Sequence, residues 1–117
     1  MRKSIGEAVS LTQNNQFRKL YQKGASQVCP SVVVYVRRNG LKHNRLGITV
    51  SKKIGKATIR NRAKRRLREV YRTNSEALQK GFDFVLVARG RTASTPYQKL
   101  NADFLHLADK LGVMKND

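Results

Sequence analysis

Cysteine is nearly absent from this chain of 117 residues: Cys29 stands alone, so no internal disulfide can form and nothing points to an oxidising compartment. No apolar run approaches the roughly 20 residues that a membrane-spanning helix needs. The N-terminal stretch Met1–Leu11 breaks its apolar residues with Gly6, Glu7 and Ser10 and makes a poor signal peptide. A cytoplasmic protein with no membrane contact is the expectation. Carboxylates are scarce as well, 7 Asp and Glu in all, and the two histidines, His43 and His106, lie far apart. A zinc site or a two-metal nuclease centre is hard to assemble from such a set. No protein-borne catalytic residue and no metal ligand is assigned, and each histidine reads as a surface or packing residue.

What the chain has in excess is positive charge. Its 25 Lys and Arg leave a formal net charge of +18, and no carboxylate occurs between Glu7 and Glu69. An uncompensated field of this size asks for a polyanion, and nucleic acid would give a salt-dependent affinity through counterion release.

The length suits one domain, and there is no repeat, low-complexity tract or linker to divide it. A single RNA-binding domain over residues 1–117 is expected, with residues 1–10 as a loose N-terminal arm. Phe17, Leu20 and Tyr21 at i, i+3, i+4 predict a short helix from an N-cap at Thr12 to a stop at Gly24. Residues 31–36, rich in valine, predict a strand, and Asn39-Gly40 a turn. The alternation of Leu46, Ile48 and Val50 then predicts a second strand paired antiparallel with the first as a hairpin. Beyond Gly55 the period changes to 3.6, with Ile59, Ala63, Leu67 and Val70 on one face and Thr58 as candidate N-cap. Phe82–Ala88 is apolar almost throughout and predicts a strand buried on both faces or centrally placed. Thr95-Pro96 opens a last helix carrying Leu100, Phe104, Leu107 and Leu111. The sum is an α+β domain of two layers, helices on a small sheet.

The helix after Gly55 is where the charge concentrates. Arg60, Lys64, Arg68 and Arg72 form an i, i+4 row, Asn61 and Arg65 extend it, and Arg62 and Arg66 flank the apolar stripe on its other side. A solvated helix face normally mixes signs, since like charges at this spacing cost roughly 0.2–0.5 kcal/mol per pair. Cations in the first turn also oppose the helix dipole. A phosphate backbone converts both penalties into attraction, and the guanidinium fork suits phosphate oxygens.

These residues carry a resemblance. Ser51-Lys52-Lys53-Ile54-Gly55-Lys56-Ala57, then Arg60-Asn61-Arg62-Ala63-Lys64-Arg65 and Leu67-Arg68-Glu69, resemble the signature of the protein subunit of bacterial ribonuclease P. Phe17, Tyr21, Gly24, Tyr35, Arg45-Leu46-Gly47 and the strand from Phe82 to Arg89 follow the family's order along most of the chain. The resemblance implies a two-layer α/β sandwich with a mostly antiparallel sheet and a left-handed βαβ crossover, like a domain of a small-subunit ribosomal protein, where generic rules favour the right-handed crossover. It implies a ribonucleoprotein endoribonuclease that removes the 5′ leader from precursor tRNA, with the catalytic centre and its Mg²⁺ ions in the RNA subunit and the substrate. The partners would be that RNA and precursor tRNA, with no protein partner required.

Carried onto this chain, the resemblance places RNA-subunit contacts on Lys52, Lys53, Lys56, Arg60, Asn61, Arg62, Lys64, Arg65 and Arg68. Leader contacts fall on Phe17, Tyr21 and Tyr35, whose rings can stack on unpaired bases. By spacing alone Phe17 and Tyr21 read rather as core residues of a helix, and Tyr35 suits the core of a strand. Two rival functions remain at this stage, a structural ribosomal-type RNA binder and a nuclease acting alone. A helix-turn-helix ranks lower because the neighbours of the arginine helix are strands.

Overall fold

A computed structural model of the chain describes Val9–Ser10 and residues 14–115. The order is β1 (Val9–Ser10), α1 (Asn14–Lys23), β2 (Ala25–Cys29), β3 (Val32–Arg38), β4 (Arg45–Thr49), a 3₁₀ turn at Lys52–Ile54, α2 (Ala57–Asn74), a second 3₁₀ turn at Ser75–Ala77, β5 (Phe82–Ala88) and α3 (Tyr97–Lys110). The five strands form one sheet in the order β1-β4-β5-β3-β2. Helices cover it on both faces. The expected N-cap at Thr12 and most of the expected N-terminal arm lie outside the described residues; Val9–Ser10 pair in parallel with β4.

The hairpin expected between β3 and β4 does not form. β5 lies between them, antiparallel to β3 from Val32↔Ala88 to Arg38↔Phe82 and parallel to β4 from Arg45↔Asp83 to Thr49↔Val87. The reason is burial. β5 is apolar on both faces and is served only by a central position, whereas β4 can tolerate its place near the sheet edge. The Asn39–Asn44 loop therefore crosses the end of β5 instead of closing a tight turn. It holds that end: the Asn39 backbone N–H donates to Gly81 O at 2.9 Å, Asn44 Oδ1 accepts from Phe82 N at 2.9 Å, and Asn44 Nδ2 donates to Gln79 O at 2.9 Å. The true hairpin joins β2 and β3. β2, Ala-Ser-Gln-Val-Cys, has too little apolar alternation to announce itself in the sequence. The β4–α2–β5 unit is the βαβ crossover.

On one face, Val32, Val34, Val36, Leu46, Phe84 and Leu86 are buried beneath Ala63, Leu67, Val70 and Tyr71 of α2 and Leu100, Phe104 and Leu107 of α3. Tyr71 meets Phe84 and Phe104 edge to face, with ring centroids 5.4 and 6.4 Å apart. On the other face, among the described residues, α1 is the cover: Leu20 is buried on Val85, with Phe17, Tyr35 and Val87 packed around them.

Gly24 sits where α1 turns into β2, its N–H donating to Leu20 O at 2.9 Å. A Cβ there would lie 2.6 Å from Leu20 O and 2.7 Å from Val36 O, so close approach of backbones, not a left-handed conformation, demands glycine. Two expected caps move. Lys56, not Thr58, holds the N-cap position of α2, and the Thr95 hydroxyl donates to Arg91 O while Pro96 takes the N-cap position of α3.

Candidate nucleic-acid interface

α2 buries Ala63, Leu67, Val70 and Tyr71 and turns the rest of its circumference outward. Asn61, Arg62, Lys64 and Arg65 are exposed and Arg60 and Arg68 half-buried. Ile59, expected on the buried stripe, is 39% exposed, and its side chain sits against Gly55. Gly55 has φ 144°, a conformation that suits glycine. The Ser51 hydroxyl accepts from Lys53 N at 3.2 Å, and Arg60 Nε donates to Gly55 O at 3.1 Å. These bonds key the approach loop to the helix, so Lys52, Lys53 and Lys56, all exposed, extend the charged surface of α2. Among the described residues none of the cations from Lys52 to Arg68 has an acidic partner; the helix's one ion pair joins Arg72 to Glu69. Arg60, Asn61 and Lys64 rim a cleft of about 220 Å³ floored by Ile48 and Val50.

Two arginines do more than project charge. Arg62 Nε donates to Ala93 O at 3.1 Å, and Arg66 donates to Thr95 O. Burial, then the neighbouring charge of Arg62, lowers the pKa of Arg66. Both bonds fasten the segment between β5 and α3. That segment is held from its other side too, where Thr92 Oγ1 donates to Ser31 O at 2.6 Å and accepts from Arg89 N at 2.8 Å. Ser31 in turn donates to Asp103 at 2.7 Å. Sequence reasoning gave Arg66 no such task; its position on the flank of the apolar stripe was the only signal.

Phe17, Tyr21 and Tyr35 come together on the opposite face of the sheet. The Tyr21 and Tyr35 rings meet edge to face at 4.9 Å, and the Tyr21 hydroxyl shares a hydrogen bond with Thr49 Oγ1 at 3.0 Å. Tyr21 is 42% exposed and the other two are half-buried, so each ring is partly packed and partly open. Thr49 was missed, because its role depends on which strand α1 crosses. The aromatic surface and the arginine helix thus occupy opposite faces, joined round the edge by the loop after β4.

Farther along the aromatic face, Arg45 grips Asp83 with two bonds of 2.8 Å, Nε to Oδ1 and Nη2 to Oδ2, and Asn39 Nδ2 donates to Asp83 Oδ1 at 2.9 Å. The hydrogen bond to Asp83 raises the pKa of Arg45 against the cost of its partial burial. A lone carboxylate inside a buried strand, Phe-Asp-Phe-Val, is a sequence signal that such a partner must exist. Among the described residues no three His, Cys, Asp or Glu side chains gather. Both Asp83 oxygens are taken, by Arg45 and Asn39. No described helix is long and apolar enough to cross a membrane.

Residues 5–112 match the family model described as Ribonuclease P. The chain is 40% identical over 106 residues to a ribonuclease P protein component of Alkaliphilus oremlandii, covering 91% of this chain and 93% of that protein. It is 38% identical to one of Clostridium botulinum over 88% and 94%. Among solved structures, the RNase P protein of Staphylococcus aureus superposes with a TM-score of 0.81 at 30% identity, covering 92% of this chain and 99% of that one. The RNase P protein from Thermotoga maritima gives 0.78 at 33% identity over 86% and 96%. With its arginine helix, its crossover and this extent of likeness, the chain belongs to the ribonuclease P protein family and is the protein component of a tRNA 5′-processing ribonuclease.

Proposed function

We propose that this chain binds the RNA subunit of ribonuclease P through one face and the 5′ leader of precursor tRNA through the other, while cleavage takes place in an RNA-built centre. The observation that carries the reading is the division of labour between the two faces. α2 and its approach loop hold nine candidate contacts, Lys52, Lys53, Lys56, Arg60, Asn61, Arg62, Lys64, Arg65 and Arg68, on a surface whose cations lack acidic partners among the described residues. Repulsion along that row is relieved by phosphates and by little else. Phe17, Tyr21 and Tyr35 form a separate, half-open platform of the kind that single strands stack on.

Mg²⁺ in this reading belongs to the RNA subunit and the substrate; bound there, it would stabilise the charge that develops on the scissile phosphate. This chain's own residues neutralise phosphate repulsion and hold the leader in line, in the cytoplasm, without a second protein.

Precursor-tRNA cleavage at low Mg²⁺ tests the reading, with this protein, a bacterial ribonuclease P RNA, both, and neither. Cleavage at the mature 5′ end with both present, and none with the protein alone, is the expected result. Activity of the purified protein alone would replace this reading with a solitary nuclease. For the leader, Tyr35→Ala should weaken holoenzyme binding of leader-bearing precursor about tenfold, as expected for a lost stacking contact, while mature tRNA binds as before. Equal loss for both would mean damaged packing instead.

A further inference from the structure

Arg62 is exposed, yet its guanidinium is tethered: Nε donates to Ala93 O at 3.1 Å, from α2 across to the segment that joins β5 to α3. Which partner holds the other follows from how each is fixed. Arginine is a long side chain with many rotamers. The segment has little freedom. Thr92 is 0% exposed, and its hydroxyl donates to Ser31 O at 2.6 Å and accepts from Arg89 N at 2.8 Å. The turn also closes on itself, Thr92 N donating to Arg89 O at 3.0 Å and Thr95 N to Arg91 O at 2.9 Å. From the α2 side Arg66 donates to Thr95 O, two residues past Ala93. The segment is therefore the rigid party, and Ala93 O holds Arg62 rather than the reverse. Arg66 makes its clasp at a cost. It is half-buried, its Nε is buried without a hydrogen-bond partner, and it stands four residues from Arg62, where like charges repel. Among the described residues neither arginine has an acidic partner. A side chain that served packing alone would do better without the charge.

We propose that Thr92 and Arg66 are positioning residues for Arg62: they fix the carbonyls of residues 93–95 so that Ala93 O occupies Nε and the guanidinium is preset to take a phosphate of the RNA subunit. The inference rests on the RNA-subunit reading of Arg62 given above. With Nε engaged, Nη1 and Nη2 remain to donate end-on to two oxygens of one phosphate. The ordering that binding would otherwise impose on a long side chain is already complete in the free protein, which improves affinity by about fivefold for one such side chain. Arg60 uses the same device on a different loop, its Nε donating to Gly55 O at 3.1 Å. The two arginines that flank Asn61 are thus both tethered through Nε to backbone carbonyls. Thr92 is closed off from solvent and cannot meet RNA itself. Any effect it has on RNA binding passes through the segment.

A mutant cycle on the full-length protein, titrated with a bacterial ribonuclease P RNA, tests the proposal, with thermal midpoints to establish that each variant is folded. Thr92→Val keeps shape and charge and removes the hydroxyl; Thr92→Ser restores it. Expected is that Thr92→Val weakens RNA binding by about fivefold, that Thr92→Ser binds as the wild type does, and that Thr92→Val costs nothing more once Arg62→Ala has removed the guanidinium. In an Arg60→Ala background, whose tether is Gly55 O, the fivefold loss should persist. In the ¹⁵N-labelled free protein the Arg62 Nε–H should be protected from exchange with water and should lose that protection in Thr92→Val. Should Thr92→Val fail to fold, Arg66→Met runs the same cycle: it should cost less in the Arg62→Ala background than in the wild type and should abolish the same protection. Equal losses with and without Arg62 would overturn the inference, because Thr92 would then act on the fold as a whole. Full affinity of Thr92→Val would overturn it too. If Arg62→Ala weakens binding and the cycle shows no coupling, only the positioning falls; if the wild type binds RNA and Arg62→Ala costs nothing, the RNA contact at Arg62 fails first and takes the positioning with it.

Discussion

At the scale of single residues, Tyr71 illustrates what burial does to a polar atom. Its ring fills the middle of the core between Phe84 and Phe104. Burial pushes the hydroxyl's pKa up to about 12 from 10.0, with a smaller opposing pull from the Asn44 side chain, and the hydroxyl makes no hydrogen bond of good geometry. A folded pKa above the unfolded one favours the protonated, neutral form, so this contribution is complete below the unfolded value and is lost as pH climbs toward the folded one. Between about pH 10 and 12, Tyr71 alone should remove about 2 kcal/mol of stability. Denaturant titrations of wild-type and Tyr71→Phe protein measure the difference: the variant should be as stable or more stable at neutral pH, and the gap should widen in its favour with rising pH. A constant gap would mean that Tyr71 does not titrate with unfolding. Gly24 and Asp83 are residues of another kind, each understood only once a neighbour is known, Val36 O for the first and Arg45 for the second.

At the scale of elements, α2 is a helix whose surface opposes its own stability. Arg60, Lys64 and Arg68 repel at i, i+4, and the first turn has no acid, with Lys56 at its N-cap and Arg60 at its end. Placing one carboxylate in the row should therefore stabilise the free protein and harm the complex. Lys64→Glu turns two repulsive neighbours into attractive ones, a gain of about 1 kcal/mol at low ionic strength, readable as a higher unfolding midpoint. The same change should weaken RNA-subunit binding by tenfold or more, on the order of one lost phosphate contact plus a new repulsion. A variant both more stable and fully able to bind RNA would remove α2 from the interface. The helix was legible in the sequence because its 3.6-residue period and its charge row coincide. Its N-cap was not, since Lys56 takes the position without a side-chain hydrogen bond and Thr58 looked the better candidate.

At the scale of the whole molecule, the sheet separates the two proposed binding surfaces, with α2 and α3 on one face and α1 on the other. Sites on opposite faces with no shared partner should act independently. Combining Tyr35→Ala with Arg60→Ala/Arg65→Ala/Arg68→Ala should give losses that add within about 0.5 kcal/mol, where RNA-subunit affinity reports the arginines and, at saturating RNA, leader-dependent affinity reports Tyr35. A larger coupling would show that the loop at residues 50–56 transmits strain between the faces. Much of this protein was determined by the sequence alone: the excess of positive charge, because uncompensated charge needs no fold to be counted; the three helices and the strands at 32–38, 45–49 and 82–88, because their periods are local; and the family, because its motif is contiguous. The tertiary structure decided the rest. It placed β5 between β3 and β4, since only a central position buries both faces of Phe82–Ala88; it drew the weakly patterned Ala25–Cys29 into the sheet against β3. It also put the aromatic rings and the arginines on opposite faces, because which residues meet across a sheet follows from strand order, and strand order is settled by the competition of whole strands for the core.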